Sequence, residues 1–151
     1  MHNPHCTTRS EFGIRSASSG DARYSNADYI DPYSNWRGPI WINTNVMIAY
    51  GLAGMGGGGG GSSSSGSGSG SRGGGMGAHA VDIATRVVAL LAASLRRQPE
   101  LAKNGTAWRE CYSSDDGKEL AAPGFMSWNL LAGTVLPSLR AGTNPFDLSY
   151  A

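Results

Sequence analysis

The sequence predicts an all-α fold, a few amphipathic helices joined by long loops rich in aromatic residues. Three observations carry that expectation. Apolar residues recur at three- and four-residue steps from Ile42 onward, the run "AVDIATRVVALLAASLRR" (80–97) is amphipathic over its whole length, and no alternating apolar/polar run is long enough to read as a strand.

Residues 1–11 are polar and group His2, His5 and Cys6 without a fourth metal ligand nearby, so they read as a structureless start rather than a metal site. Residues 12–55 begin as irregular chain in which Tyr24, Tyr29, Tyr33, Trp36 and Trp41 alternate with turn formers; Pro32 and Pro39 hold Asp31 and Gly38 extended. A helix follows from about Ile42, with Ile42, Val46, Ala49 and Tyr50 on its apolar face and Asn43 and Asn45 near its start. Residues 56–75 contain only Gly, Ser and one Arg and hold 12 of the 23 glycines. Such a tract is a flexible coil spanning roughly 25 Å, enough to join two packed helices. It is no phosphate-binding loop, because it lacks a G-x-x-x-x-G-K-[ST] pattern and a preceding strand.

The stretch 76–140 opens with the 80–97 helix, whose apolar face is predicted as Val81, Ala84, Val88, Leu91 and Leu95, with Arg96 and Arg97 suiting its C-terminal end and Pro99 stopping it. "TAWRECYSSDDGKELAAPGF" reads as a loop holding Glu110 between Trp108 and Tyr112. A last helix begins near Ser127, buries Trp128, Leu131 and Val135, and is limited or kinked by Pro137. Residues 141–151 form a tail.

Without the Gly/Ser tract the chain divides into pieces of 55 and 76 residues, each too small to bury much apolar surface alone. A net charge of +1 with 15% charged residues offers no electrostatic footprint for nucleic acid or an anionic membrane. No apolar run reaches the roughly 20 residues of a membrane span, and no signal peptide is visible. Cys6 and Cys111 form neither a metal spacing nor a disulfide framework. No cofactor motif is present.

The concentration of rings beside polar groups in "YSNWRGPIWINTN" suits a sugar pocket, since a pyranose has an apolar C–H face for stacking and an edge of hydroxyls. Trp36, Trp41, Trp108 and Tyr112 suit stacking; Arg37, Asn43 and Asn45 suit hydrogen bonding. Composition alone favours a plainer alternative, with the tryptophans as core anchors, the arginine on a local carbonyl and Glu110 an ordinary surface carboxylate. A glutamate between large aromatics would be partly desolvated and fit for proton transfer. Glycoside hydrolysis needs two carboxylates across the scissile bond, and Asp115-Asp116 is a turn rather than such a pair.

"EFGIRSASSGDARY", "DPYSNWRGPIWINTNVMIAYGL", "WRECYSSDDG" and "GFMSWNLLAGTVL" follow one another in an order that resembles glycoside hydrolase family 63, most of all the processing mannosyl-oligosaccharide glucosidases. The resemblance covers about residues 12–136 outside the Gly/Ser tract. It implies part of an (α/α)6 barrel and inverting hydrolysis, with Glu110 as general base and Trp36, Arg37 and Trp41 beside a terminal glucose; Asn45 and Tyr112 complete the expected substrate contacts. It also implies a glucosylated N-glycan as substrate and the endoplasmic reticulum as location. Trehalase-like and bacterial-type relatives are the alternatives within the enzyme class, and a non-catalytic carbohydrate-binding remnant is the alternative outside it. The family's general acid, an aspartate in a block resembling S-G-L-D-D-Y-P, does not occur in these 151 residues. Asn35 and Asn129 also depart from the family pattern. The expectation is a C-terminal fragment or truncated product that needs the missing part of the barrel and is inactive alone.

Overall fold

A computed structural model describes residues 8–27, 36–56 and 73–140. The expected Gly/Ser coil lies mostly outside these residues, as do the His2/His5/Cys6 cluster and the tail. Its two ends are helical: Gly56 closes helix α1 (Ile42–Gly56), and Gly73 opens helix α2 (Gly73–Arg97). Two further helices follow, the short α3 (Pro99–Lys103), started by its proline at the first turn, and α4 (Met126–Arg140), which continues through Pro137.

Helices α1, α2 and α4 pack against one another around Ile42, Val46, Ala49, Ile83, Ala84, Val87, Leu90, Leu91, Ala132 and Leu136. The face expected for α1 is the face it buries, with Tyr50 packed at its edge. The faces of α2 and α4 are rotated by about one residue from those expected. Helix α2 buries Ala80, Ile83, Val87 and Ser94 beside Ala84 and Leu91, while Val81 is 40% exposed. Helix α4 buries Asn129, Ala132 and Leu136, leaves Trp128 half-buried and exposes Leu131; the Val135 side chain lies outside the described residues. The reason is shared. The inner face of each helix carries small or amide-bearing residues that a hydropathy pattern discounts.

Helix α2 from Gly77 to Arg97 is long and apolar enough, by length and composition, to cross a membrane. Here it is a core helix: its buried face meets α1 and α4, and its Asp82 pairs with Arg86 (2.9 Å) and with Arg9. Arg86 in turn donates to the carbonyls of Ser10 and Glu11.

The prediction of an all-α chain needs correction. Strands β1 (Arg9–Ser10) and β2 (Gly13–Ile14) form an antiparallel hairpin, so residues 9–11 are not structureless. Strands β3 (Ile40–Trp41), β4 (Arg109–Tyr112) and β5 (Glu119–Pro123) form an antiparallel sheet in the order β3-β4-β5. The expected loop around Glu110 is therefore a hairpin. These strands are two to five residues long, too short to show alternation, and β3 finds its partner across nearly 70 residues of chain. The result is a mostly helical unit with minor antiparallel sheets.

Candidate active site

The loop 36–41 is held by close backbone packing. A Cβ on Gly38 would lie 2.7 Å from the Ser25 carbonyl oxygen and 2.9 Å from Tyr24 Cε2, so only glycine fits. The Gly38 N–H donates to Ser16 Oγ (3.0 Å), the Ser25 N–H to the Arg37 carbonyl (2.9 Å) and the Ser16 N–H to the Pro39 carbonyl (3.1 Å). Residues 24–26 are themselves tied to the β4–β5 connection. The Tyr24 hydroxyl donates to Asp115 Oδ1 (2.6 Å), and the Ser114 N–H donates to Asn26 Oδ1 (3.1 Å).

Within this frame the tryptophans form one stack. Trp36 lies on Trp41 with ring centroids 3.8 Å apart and planes 5° from parallel; Trp128 leans against Trp41 at 5.6 Å, and Phe125 meets Trp128 edge-on at 4.6 Å. Trp41 is 2% exposed and shares a small cluster with Cys111 and Leu120, whereas Trp36 is 47% exposed. Of the two loop tryptophans expected at a sugar, the structure offers one to solvent and uses the other as its support. Trp108 packs against the main core.

Asn45 and Tyr112, expected to contact substrate, are both fully buried and turned to structural use. The Asn45 amide accepts from the Ile14 N–H (2.7 Å) and donates to the carbonyls of Ile14 (3.0 Å) and Trp41 (2.9 Å), clamping β2 and β3 to the first turn of α1. The Tyr112 hydroxyl donates to Asn129 Oδ1 (3.0 Å) and accepts from the Arg109 N–H (3.3 Å); burial pushes its pKa up to about 12, so it stays neutral. Asn129 completes this network by donating to the carbonyls of Arg109 (2.8 Å) and Phe125 (2.6 Å). In the sequence Asn129 stands out only as a departure from the family pattern. In the fold it ties Arg109 and Tyr112, on either side of Glu110, to α4. Asn43 Oδ1 is buried and has no hydrogen-bond partner among the described residues.

Glu110 lies in β4, one residue from Cys111, which pairs directly with Trp41 across the sheet. Opposite it the register slips: Arg109 pairs with Pro123 but Cys111 with Leu120, so β5 carries an extra residue. At this bulge Ala121 adopts φ 60°, a left-handed conformation unusual for a residue with a Cβ. Bulges of this kind redirect side chains beside functional sites. Glu110 is half-buried, and no hydrogen bond or ion pair engages its carboxylate among the described residues.

Apart from the exposed Glu11, the other carboxylates of the described residues are committed elsewhere. The Lys118 ammonium (2.6 Å) and the Ser113 hydroxyl hold Asp116 down to about 2. Asp21 is lowered by its hydrogen bonds from Arg23, and Asp82 by its hydrogen bond from Arg86. Burial would raise Glu119, but hydrogen bonds and the Arg97 guanidinium 2.7 Å away bring it below its ordinary value. All four shifts favour the ionised form, the wrong direction for a general acid. Among the described residues no group of three or more His, Cys, Asp or Glu is placed to hold a metal.

A cavity of about 240 Å³ opens beside the exposed tryptophan, lined by Ala17, Asp21, Arg23, Trp36 and Arg37. Trp36 and Arg37 were expected at a ligand; Asp21 and Arg23 were not, and only the docking of residues 16–26 against the loop brings them there.

The family model described as the mannosylglycerate hydrolase MGH1-like glycoside hydrolase domain matches residues 3–128. No curated protein matches the chain. The chain belongs to the MGH1-like glycoside hydrolase family, and membership implies part of an (α/α)6 barrel acting on carbohydrate. The family is not specific to the processing glucosidases that the motifs resemble.

Proposed function

We propose that this member of the MGH1-like glycoside hydrolases supplies the general-base half of an inverting site, with Glu110 activating the water that attacks the anomeric carbon. One observation carries this reading. Glu110 has a half-buried carboxylate with no partner among the described residues, beside the Trp41–Cys111 pair and opposite a strained bulge, while Asp21, Asp82, Asp116 and Glu119 are held in ion pairs and the likewise unpaired Glu11 is exposed.

In inversion the base removes a proton from water as the oxygen bonds to the anomeric carbon, and an acid on the opposite side protonates the departing oxygen. Glu110 is suited to the first step. For the second, the aspartate block of the resembling enzymes does not occur in this sequence. The substrate we favour is an oligosaccharide ending in α-linked glucose, of the glucosylated N-glycan kind, because "WRGPIWINTN" resembles the glucose-pocket loop of processing glucosidases. That substrate carries with it a place in the endoplasmic reticulum. The family's description supports a second reading, a small glycoside such as mannosylglycerate.

Glycosyl fluorides test the base alone, because fluoride leaves without being protonated. Water attacks the anomeric carbon, the C–F bond breaks with its electron pair, and Glu110 takes the water's proton. The 151-residue chain is expected to release fluoride from α-glucosyl fluoride, to lose that activity as Glu110→Gln, and to leave O-glycosides uncleaved. Preference for α-mannosyl fluoride would favour the second substrate. Release that is unchanged in Glu110→Gln would refute the assignment of the base.

A further inference from the structure

The cavity beside Trp36 has a composition that neither the motif nor the family description accounts for. Trp41 covers one face of Trp36 at 3.8 Å, so the 47% exposure of Trp36 belongs to its other face and its edges. Facing this cavity are Arg37 and an ion pair, Arg23 Nε and Nη2 each 3.2 Å from an Asp21 carboxylate oxygen, with the Arg23 N–H donating to Asp21 Oδ1 at 2.8 Å. This side-chain fork and backbone contact fix the carboxylate within the 21–23 turn. Oδ1 accepts both Arg23 N–H and Nε–H, so the carboxylate keeps one lone-pair direction, on Oδ2, for an outside donor, and the guanidinium keeps N–H groups for an outside acceptor.

We infer that this cavity is a sugar subsite that takes one pyranose ring, with Trp36 as the stacking face and the Asp21–Arg23 pair reading the ring hydroxyls. The inference rests on the glycosidase reading above and adds to it two specificity-determining residues outside the W-R-G-P block. Size supports a single ring: about 240 Å³ lies below the roughly 300–1,000 Å³ of clefts for drug-sized ligands. Polar chemistry supports a ring bearing hydroxyls. Asp21 offsets Arg23, Arg37 adds one further cation to the lining, and vicinal hydroxyls both donate to a carboxylate and accept from a guanidinium. A ring held here makes an oligosaccharide a better ligand than a glycoside with a small aglycone.

The test is binding by the full chain, followed by calorimetry and ligand-observed NMR, with methyl α-glucoside and methyl α-mannoside as probes. A neutral methyl glycoside should bind saturably, and Asp21→Ala and Arg23→Ala should each weaken it about tenfold, the loss expected for a charge-assisted hydrogen bond. Trp36→Ala should abolish it. The Arg23 side chain is 79% exposed, so Arg23→Ala keeps the fold, as a melting curve would verify. The subsite is overturned by the absence of saturable binding or by affinities indifferent to both Asp21→Ala and Arg23→Ala. Failure here is separable from failure of the hydrolase. Fluoride release that depends on Glu110, with affinity untouched by Asp21→Ala, removes the subsite alone; sugar binding with no fluoride release removes the hydrolase alone.

Discussion

Replacing Asn45 with alanine tests whether that residue serves the ligand or the fold. Its amide makes three hydrogen bonds, of 2.7, 3.0 and 2.9 Å, in a fully buried position. The Trp41 carbonyl would keep a partner, because Thr44 Oγ1 also donates to it at 2.9 Å. The Ile14 N–H and carbonyl would lose the amide that serves them both. At about 1 kcal/mol per net bond, rising when a group is stranded away from water, Asn45→Ala should cost about 3 kcal/mol of folding stability. Asn45→Asp should cost more, because a carboxylate oxygen would replace the amide nitrogen facing two carbonyls. The assay is urea denaturation followed by helical circular dichroism, with sugar affinity measured on the folded fraction. A stability loss below about 1 kcal/mol together with lost sugar binding would refute the structural role and return Asn45 to the ligand.

Three further outcomes are expected. Tyr112 holds its proton to about 12 in the fold against 10.0 ordinarily, so its contribution is present below pH 10 and is lost as pH rises from 10 towards 12, reaching about 3 kcal/mol; urea midpoints at pH 9 and 11.5 should show this slope, and Tyr112→Phe should flatten it. Ala121→Gly relieves a left-handed alanine and should raise the melting temperature, with a gain of up to about 1 kcal/mol after the glycine's extra chain entropy; a lower melting temperature would contradict the strain. Gly38→Ala puts a Cβ 2.7 Å from the Ser25 carbonyl oxygen, where backbone must move, and should cost about 1–3 kcal/mol while altering the fluorescence of the Trp36–Trp41 stack.

Helices α1 and α2 were legible in the sequence because a helix declares itself locally, through apolar residues three and four apart. The loop before α1 stood out too, because its residue types are chemically unusual in combination, whereas Glu110 as a base came from the family resemblance and not from its neighbours. Only the tertiary structure decided which residue does what. Trp36 and Trp41 are the same amino acid five positions apart, yet pairing of Trp41 with Cys111 buries one ring beneath the other and leaves Trp36 alone to face solvent. Asn45 and Tyr112 look like ligand contacts until β2 and Asn129 take up their polar groups. Asp21 and Arg23 look like turn residues until the glycine at position 38 lets the 24–26 segment close over the loop. Hydrogen-bonding capacity is a property of the residue and so can be read from the chain. Whether that capacity is spent inside the protein or left for a sugar depends on partners distant in sequence.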